Sequence, residues 1–473
     1  MRRTVIGIAA VGLLAGVPLV TLATQAPAAG SLDSSFSASF NNVVFASALT
    51  SDGKLIVGGG FNEVDGTPSD QIVRLNPNGS LDPTFKTIGT GVSGGAIRAI
   101  EVVGDKVVLG GTFTNYNGTS RRGILRLNSN GSLDTQFLTG TGFNDGVYAI
   151  DAAPGGKLWV GGGFSKYGDT SRSRIALLQV DGQLDPTFDS LAGFDQTVLG
   201  VARGAAGDVW VGGQFSHYRG VSRSYVARLT GAGELDAAPS NAPGLVRSMA
   251  VDGSGHVIAA GQGLLTRYQP DGSVDPAFTA TLANQTLGAI AIQQDGKILA
   301  TGQQFPTGWV GRFNTDGTFD KSFATGGSID QAGWAISLMS DGKIFVAGQF
   351  TKFNGSQANR AVRLLGDSSG IAKPRTPIVV VKPTPPRFVT VSFKKRSAKI
   401  SWVKPTNSGN ATVSFQSRLS KRNSAKFGKW RAVSTSKITY SKLRKGSRYR
   451  VQVRAVNKAG ASATITESFK QKR

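Results

Sequence analysis

The sequence contains no cysteine, two histidines and four glutamates among its 473 residues. The absence of cysteine excludes disulfides, thiol nucleophiles and cysteine-ligated metals. With only His217 and His256 available, a Ser-His-Asp triad and a histidine-rich metal centre are disfavoured. We therefore expect no catalytic residues of these classes, no metal and no cofactor.

Long apolar runs are also scarce. One extends from Val5 to Val20, after Arg2 and Arg3 and before Ala26-Pro27-Ala28, a pattern typical of a secretory signal peptide covering residues 1–28. We expect cleavage after Ala28, with retention as a membrane anchor as the alternative. No later segment is long enough to span a membrane. The mature protein is predicted to be a monomer that is secreted, extracellular or associated with the cell wall.

Acidic side chains are nearly missing from the end of the chain. Residues 372–473 contain 26 Lys and Arg but a single acid, Glu467, which gives a net charge of +25, whereas the 27 bases and 28 acids of residues 1–371 give −1. Charge of this density exceeds what solubility needs and repels itself without counter-ions. The C-terminal region is therefore predicted to bind an anionic cell-wall polymer, an acidic polysaccharide or extracellular DNA.

Glycine is abundant, with 63 residues, and much of it lies in an internal repeat. Seven segments share a turn followed by an apolar strand, and most of them end in a Gly-Gly pair. They are "SDGKLIVGGGF" (51–61), "GDKVVLGGTF" (104–113), "GGKLWVGGGF" (155–164), "AGDVWVGGQF" (206–215), "GSGHVIAAGQG" (253–263), "DGKILATGQQF" (295–305) and "DGKIFVAGQF" (341–350). A spacing of roughly 50 residues is typical of propellers and solenoids.

Each repeat divides into four antiparallel strands, because Asp-Gly and Asn-Gly between apolar runs indicate hairpins. The fourth strand is an "LDxxF" ending, whose Asp is Asp33, Asp82, Asp134, Asp185, Asp236, Asp275 or Asp320. The first ending, "GSLDSSF" (30–36), follows no repeat, and the last repeat stops near residue 366 without an ending. We therefore predict an all-β fold in which a seven-bladed β-propeller is closed by the N-terminal strand.

The repeats resemble the delta-60 repeat family of bacterial secreted propellers through "DGKxxVGGxF" and "RLNxxGSLDxxF". This resemblance covers residues 29–368. The fourth and fifth repeats depart from the pattern, since "GELDAAP" lacks the final Phe and "GQGLLTRYQP" lacks the longer loop. The resemblance implies a fold and an extracytoplasmic location, without an activity.

Internal repetition separates scaffold from candidate site. Residue types that recur in every repeat, such as the Asp and Phe of "LDxxF", are expected to build the blade. One position of the innermost strand varies freely, namely Phe45, Arg98, Tyr148, Leu199, Arg247, Gly288 and Trp334. We predict that these side chains surround one mouth of the central channel. Aromatic rings and guanidinium groups suit a sugar or an anion, so the predicted ligand-binding residues are Phe45, Arg98, Tyr148, Arg247 and Trp334. Packing between blades is the alternative.

Carboxylate pairs are the remaining route to an enzyme. The candidates near the start of the innermost strands are Glu101, Asp145, Asp151, Asp195 and Asp330, although Asp is common in glycine-rich turns for conformational reasons. The sequence favours a binding protein. A secreted carbohydrate-active hydrolase or lyase that uses the propeller mouth is the alternative.

Residues 369–384 are rich in proline and are predicted to form an extended linker. The segments "AKISWVKP" (398–405) and "LRKGSRYRVQVRAVNKAG" (443–460) resemble a fibronectin type III domain, which we place at residues 385–473. The resemblance implies a β-sandwich in which Trp402 is the core Trp, and Leu443 with Tyr449 forms the tyrosine corner.

Alternation along residues 448–455 predicts that Tyr449 and Val451 point inward, so that Arg448, Arg450 and Arg454 point outward. Basic residues of the neighbouring predicted strands are expected to extend this face. The predicted polyanion-binding residues are Arg418, Lys429, Arg431, Arg448, Arg450 and Arg454. Together the two parts predict a secreted or cell-surface binding or adhesion protein, with the propeller as recognition platform.

Overall fold

The computed structural model describes residues 28–85, 91–189, 192–204, 207–238, 241–282, 284–323, 328–367, 386–394, 396–403, 414–420, 424, 426–433, 435–457 and 460–471. The predicted signal peptide, except Ala28, and the predicted linker lie outside these residues. Regular structure in the described part consists of β-strands and one 3-10 turn at Pro154–Gly156. The fold is therefore all-β, as the sequence predicts.

Seven antiparallel three-stranded units follow one another between residues 44 and 364 of the described chain. Each has an inner, a middle and a third strand, and a tight turn joins the first two, with Gly53 at φ +80° as an example. The strands are Val44–Leu49, Leu55–Gly59 and Ile72–Leu75; Ile97–Val103, Lys106–Gly111 and Ile124–Leu127; Val147–Ala153, Lys157–Gly162 and Ile175–Leu178; Val198–Arg203, Val209–Gly213 and Val226–Leu229; Val246–Val251, Val257–Gly261 and Leu264–Tyr268; Thr286–Ile292, Ile298–Gln304 and Thr307–Phe313; and Gly333–Leu338, Ile344–Gly348 and Ala361–Leu364.

Short hairpins separate the middle and third strands of repeats one to four and seven. Their strands are Glu63–Val64 with Thr67–Pro68, Asn115–Tyr116 with Thr119–Ser120, Lys166–Tyr167 with Thr170–Ser171, His217–Tyr218 with Val221–Ser222, and Lys352–Phe353 with Ser356–Gln357. Val92–Ser93 adds to the second hairpin, and Ser328–Ile329 joins the third strand of repeat six to the last hairpin. Repeats five and six pass almost directly from middle to third strand.

Each "LDxxF" ending pairs with a third strand and places its Asp beside a basic residue. In the first repeat Leu81 pairs with Leu75, and Asp82 accepts hydrogen bonds from Arg74 Nε at 2.7 Å and Lys54 Nζ at 2.8 Å. The guanidinium of Arg74 also lies 5.1 Å from the ring centre of Phe85. The repeated Asp and Phe therefore fasten the ending to its own repeat.

The N-terminal ending makes the same contacts with the seventh repeat. Leu32 pairs with Leu364, and Arg363 donates to Asp33 at 2.8 Å across 330 residues. The Arg363 guanidinium lies 4.9 Å from the ring centre of Phe36. The inner strand of repeat seven also packs beside the inner strand of repeat one, and buried clusters join side chains of these two repeats.

The C-terminal region forms two antiparallel sheets. One contains Arg387–Lys394, Ser397–Val403 and Lys437–Tyr440, and the other contains Ser414–Leu419, Arg431–Val433, Arg448–Asn457, Gly460–Ala461 and Ile465–Lys470. Trp402 is buried with its ring centre 5.5 Å from that of Phe415. Tyr449 Oη accepts a hydrogen bond from the Arg444 amide at 3.1 Å. Tyr449 and Val451 are buried, as the alternation predicts.

Candidate ligand-binding sites

Each inner strand contains a β-bulge, and the variable residue at the bulge does not pair with a residue of the middle strand. In repeat one Val44 pairs with Gly59 and Ala46 pairs with Gly58, so Phe45 has no partner residue in the register. The same irregularity occurs in all seven units at the position of Phe45, Arg98, Tyr148, Leu199, Arg247, Gly288 and Trp334. A bulge redirects the side chain of the extra residue. The bulge explains why this position can vary while the residue that follows it is small in every repeat.

The second glycine of each Gly-Gly pair makes the bulge possible. A Cβ added to Gly59 would overlap the carbonyl oxygen of Val43, and one added to Gly111 would overlap that of Ala96. Because this glycine allows the backbone to approach so closely, it belongs to the scaffold. The bulged residue, which has no partner in the register, is free to differ between repeats.

The seven bulged residues line one cavity of about 240 Å³ between the inner strands. The structure thus brings together all five residues predicted to bind a ligand, along with Leu199 and Gly288. The ring of Trp334 covers Gly288, where an added Cβ would lie 3.0 Å from Trp334 Cε3. The cavity wall is therefore aromatic on one side.

Two arginines in this cavity lie against aromatic rings. The Arg98 guanidinium is 3.6 Å from the ring centre of Phe45, and that of Arg247 is 5.9 Å from Trp334. The Nε atoms of both arginines are buried and have no hydrogen-bond partner among the described residues. Burial lowers the pKa of both guanidinium groups from the usual arginine value, because a desolvated cation is less stable.

The outward face of the C-terminal sandwich carries a stack of arginines and aromatic rings. Trp430 lies between Arg418 and Arg454, whose guanidinium carbons are 4.4 Å and 4.2 Å from its ring centre. Phe427 lies between Arg418 and Arg450 in the same way, at 5.1 Å and 5.3 Å. We call these five residues the arginine-aromatic face.

Glutamines also hold these arginines in place. Arg418 Nε donates to Gln452 Oε1 at 2.7 Å, and Arg454 donates through Nε and Nη2 to Gln416 Oε1 at 2.9 Å and 2.7 Å. These partners are neutral, so the positive charge is oriented without being cancelled. Arg448 is exposed on the same face, opposite Lys470 of the next strand.

The prediction that Arg431 extends this face is wrong. Arg431 pairs with the fully buried Ser417, and paired residues of adjacent antiparallel strands share a face. Its guanidinium accordingly lies over Tyr440, 5.6 Å from the ring centre. Lys429 is exposed but precedes this strand. Trp430 and Phe427, which the sequence prediction did not include, supply the rings of the face. Ala432 pairs with Gln416 on the outward face. Because alternate residues of a strand share a face, Trp430 could have been predicted to lie on that face as well.

Comparison with known protein families matches both parts of the chain. A β-propeller domain of unknown function, DUF5122, matches residues 50–85, 105–137, 154–188, 207–238, 293–323 and 340–369, and the fibronectin type III domain matches residues 384–471. The chain has propeller repeats followed by a fibronectin type III domain. The delta-60 designation stays a prediction. The fifth repeat lies outside the matched segments, in keeping with its departure from the pattern.

Solved structures similar to this chain are distant in sequence. The extracellular domain of BT3049 from B. thetaiotaomicron, named as a hybrid two component system, is 14% identical, covers 92% of this chain and has a TM-score of 0.43. This chain covers 56% of the length of that one. The WD40 β-propeller domain of Doa1 is 13% identical over 71% of this chain and 98% of its own, with a TM-score of 0.46. No curated protein sequence matches the chain.

Four of the five carboxylates considered for catalysis, Asp145, Asp151, Asp195 and Asp330, accept hydrogen bonds from backbone amides. Asp195 accepts the Ser216 and His217 amides at 2.9 Å and 3.1 Å. Asp330 accepts the corresponding amide of Thr351 at 2.7 Å, and Asp151 accepts the Arg203 amide at 2.6 Å. Asn144 and Asn41 take the place of Asp195 in other repeats. The contact of Asp195 with the amides of the following hairpin therefore recurs in other repeats and supports the loops.

No helix in the described part of the propeller repeats or of the fibronectin type III domain is long and apolar enough to cross a membrane. Within the same residues no group of three His, Asp or Glu side chains could hold a metal ion.

Proposed function

We propose that the seven repeats form one closed propeller and that residues 30–36 complete its seventh blade. Asp33 and Phe36 make the contacts with Arg363 that Asp82 and Phe85 make with Arg74. Two backbone bonds support the pairing, from Gly30 N to Leu365 O at 2.7 Å and from Leu365 N to Ser31 O at 2.8 Å. Closure gives a rigid ring in which the bulged residues face one channel.

In this proposal the propeller recognises an acidic sugar or another small anion at its channel mouth. The observation that carries it is the pair of half-buried guanidinium groups of Arg98 and Arg247, whose Nε atoms have no partner in the described residues. A buried polar group without a partner is costly, and a ligand carboxylate or sulfate would supply the acceptor. Phe45, Tyr148 and Trp334 offer apolar faces to the ring of such a ligand.

The fibronectin type III domain retains the protein on anionic material outside the cell, such as a cell-wall polymer, an acidic polysaccharide or extracellular DNA. Its arginine-aromatic face orients three guanidinium groups through neutral partners. Arginine held in a defined plane suits bidentate contact with carboxylate or phosphate. Together with the predicted N-terminal secretion signal, these features support the proposal of a secreted or cell-surface recognition protein.

The mouth is tested with the full chain on an array of uronate-containing and sulfated oligosaccharides. The wild-type protein is expected to bind acidic members, and the double variant Arg98→Gln/Arg247→Gln is expected to lose this binding. The matched control is Arg122→Gln/Lys166→Gln, which also removes two charges, from exposed positions of the propeller repeats. Equal binding by the wild type and the double variant would exclude the mouth as the site.

The basic domain is tested with a DNA duplex and with an acidic wall polymer as separate probes. Arg450→Gln/Arg454→Gln should weaken binding of full-length protein and flatten its salt dependence, since each lost phosphate contact lowers the slope against log salt by roughly 0.9 for DNA. Lys399→Gln/Lys437→Gln removes the same charge from exposed positions of the opposite sheet. Equal loss in both double variants would mean that net charge, and not this face, determines binding.

A further inference from the structure

A second cavity, of about 340 Å³, lies over the sixth repeat and away from the channel residues. Its lining consists of Thr281, Gln285, Trp309, Phe313 and Phe319. None of these side chains is charged, whereas the channel mouth contains two arginines. A ligand suited to this cavity would therefore differ in kind from the anion proposed for the mouth.

The cavity exists because repeat six lacks the hairpin that covers the same surface elsewhere. In repeat two Tyr116 of the hairpin is buried in one cluster with Leu125 and Leu127 of the third strand, and its hydroxyl donates to the carbonyl of Gly131 at 3.0 Å. The matching tyrosines of repeats three and four donate to equivalent glycine carbonyls: Tyr167 to that of Gly182 at 2.6 Å and Tyr218 to that of Gly233 at 2.7 Å.

In repeat six the middle strand ends at Gln304 and the third begins at Thr307, so the chain supplies no such tyrosine. The third-strand surface is left without its usual cover. What fills this surface instead is a set of substitutions found in repeat six alone.

Three aromatic and glycine substitutions shape the uncovered surface. Gly311 stands where repeat two has Leu125, and an added Cβ there would overlap the indole of Trp309 and lie 3.0 Å from Phe319 Cε2. The Trp309 ring therefore lies in the space that a leucine would fill. Its centre is 6.1 Å from that of Phe319 and 5.8 Å from that of Phe313. Phe319 is 45% exposed, as is the equivalent Leu32, and it places an aromatic ring where repeats one to four have a leucine.

One polar group in the cavity is left without a partner. Gln285 Oε1 is buried and accepts no hydrogen bond from the described residues. The exposed residue Thr281 lies at the rim. A neutral ligand with a hydroxyl or amide donor would satisfy Gln285 Oε1, and it needs an apolar face to cover the aromatic wall.

We propose that this cavity binds the pyranose ring of a neutral sugar. The C–H face of the ring packs against Trp309 and Phe319, and a sugar hydroxyl donates to Gln285 Oε1. Aromatic walls with a few placed polar groups are typical of small-ligand sites, and 340 Å³ falls within their usual volume of roughly 300–1,000 Å³. This site is independent of the anion site at the mouth and of the basic domain.

The test uses the full chain with an array of neutral hexose and N-acetylhexosamine oligosaccharides, followed by titration of those that bind. Trp309→Ala and Gln285→Leu are each expected to weaken binding roughly ten-fold or more, the scale set by losing a ring contact or a buried hydrogen bond. Trp309→Phe keeps an aromatic wall and is expected to retain most of the affinity. Arg98→Gln/Arg247→Gln and added salt should leave neutral-sugar binding unchanged, which separates this site from the mouth.

Three results would overturn the proposal. The first is that no neutral glycan binds to the wild-type chain. The second is that sugar binding is unaffected by Gln285→Leu, a variant that keeps the aromatic wall and so decides the case even if Trp309→Ala fails to fold. The third is that an uncharged apolar dye such as N-phenyl-1-naphthylamine binds more tightly to Gln285→Leu while sugars do not compete, which would assign the cavity to an apolar ligand.

Discussion

The propeller repeats and the fibronectin type III domain use arginine in opposite ways. In the repeats Arg312 is 1% exposed and donates to Asp320 at 2.8 Å, and this pairing recurs from repeat to repeat. In the fibronectin domain Arg454 lies on Trp430 and bonds to Gln416, which is neutral. The first arrangement cancels charge and fastens strands, whereas the second keeps charge available. The channel residues Arg98 and Arg247 lie in the propeller but resemble the second kind.

The largest effect is expected where the arginine–aspartate pair of Arg363 and Asp33 joins the N-terminal ending to the seventh repeat. Removing residues 29–37 deletes Asp33, Phe36 and the backbone bonds to the seventh repeat. Breaking a buried ion pair alone costs about 3–5 kcal/mol, so the propeller transition in calorimetry should fall sharply or disappear. The fibronectin transition should stay in place.

The matched comparison is between Asp33→Asn and Asp82→Asn. If residues 30–36 act as the outer strand of repeat seven, both changes remove an equivalent contact and should lower the propeller unfolding temperature by similar amounts. A silent Asp33→Asn beside a destabilising Asp82→Asn would show that the N-terminal segment is only loosely attached.

A second prediction contrasts one buried and one stacked arginine. Arg312→Gln leaves Asp320 and Asp367 without their guanidinium and should cost about 3 kcal/mol of unfolding free energy. Arg454→Gln loses a cation–π contact and bonds to an amide, and should cost about 1 kcal/mol or less. Chemical denaturation followed by separate probes for the two domains measures both values. Equal costs would remove the distinction between the two uses of arginine.

The two parts should also differ in their response to acid. Burial opposes ionisation of Asp33, Asp82 and Asp320, but hydrogen bonds from hydroxyl and ammonium groups outweigh it and hold the pKa of each below its ordinary value. A carboxyl whose pKa is lower in the folded state stabilises the fold above about pH 4, and this stability is lost as the pH falls further.

The fibronectin domain contains one acid, Glu467, and lacks such pairs in its described residues. A decrease from pH 6 to pH 3 should therefore lower the unfolding temperature of the propeller more than that of the fibronectin domain. Calorimetry measures both temperatures. Parallel decreases would contradict the assignment of the aspartates as fasteners of the repeats.

The smallest effect on stability is expected at the channel mouth. Arg98→Gln replaces a cationic side chain with a shorter, neutral one. The guanidinium that is removed lacks a carboxylate partner among the described residues. The propeller unfolding temperature should then change little or rise slightly, because burial of an unpaired charge is relieved. A marked decrease in the unfolding temperature would indicate that Arg98 stabilises the fold by packing and is not kept for ligand binding.

The sequence predicts much of the architecture because the repeat acts as its own control. Asp33 is recognisable as an ending without a repeat, and its contact with Arg363 follows from the contact of Asp82 with Arg74. The grouping of Phe45, Arg98 and Trp334 around one cavity was also predictable, since a position that varies beside invariant glycines is free of the scaffold.

The features that sequence reasoning misses depend on the register of paired strands and on how side chains pack in three dimensions. Arg431 points to the opposite face because it pairs with Ser417, and a shift of one residue reverses every side chain of a strand. The cavity beside Trp309 arises from a hairpin that is missing and from Gly311, which lets the indole fold back. The short connection of repeat six is visible in the sequence, whereas the direction of the Trp309 ring cannot be derived from spacing alone.

The most direct test measures affinity and unfolding temperature together for two double variants of the full chain. The ligand is the acidic oligosaccharide that binds most tightly in the array. We expect that Arg98→Gln/Arg247→Gln abolishes binding without lowering the unfolding temperature, and that Arg74→Gln/Arg363→Gln lowers the unfolding temperature while the folded protein keeps its affinity. Retained affinity in the first variant, or lost affinity in the folded second variant, would contradict the division between arginines that hold the fold and arginines that bind.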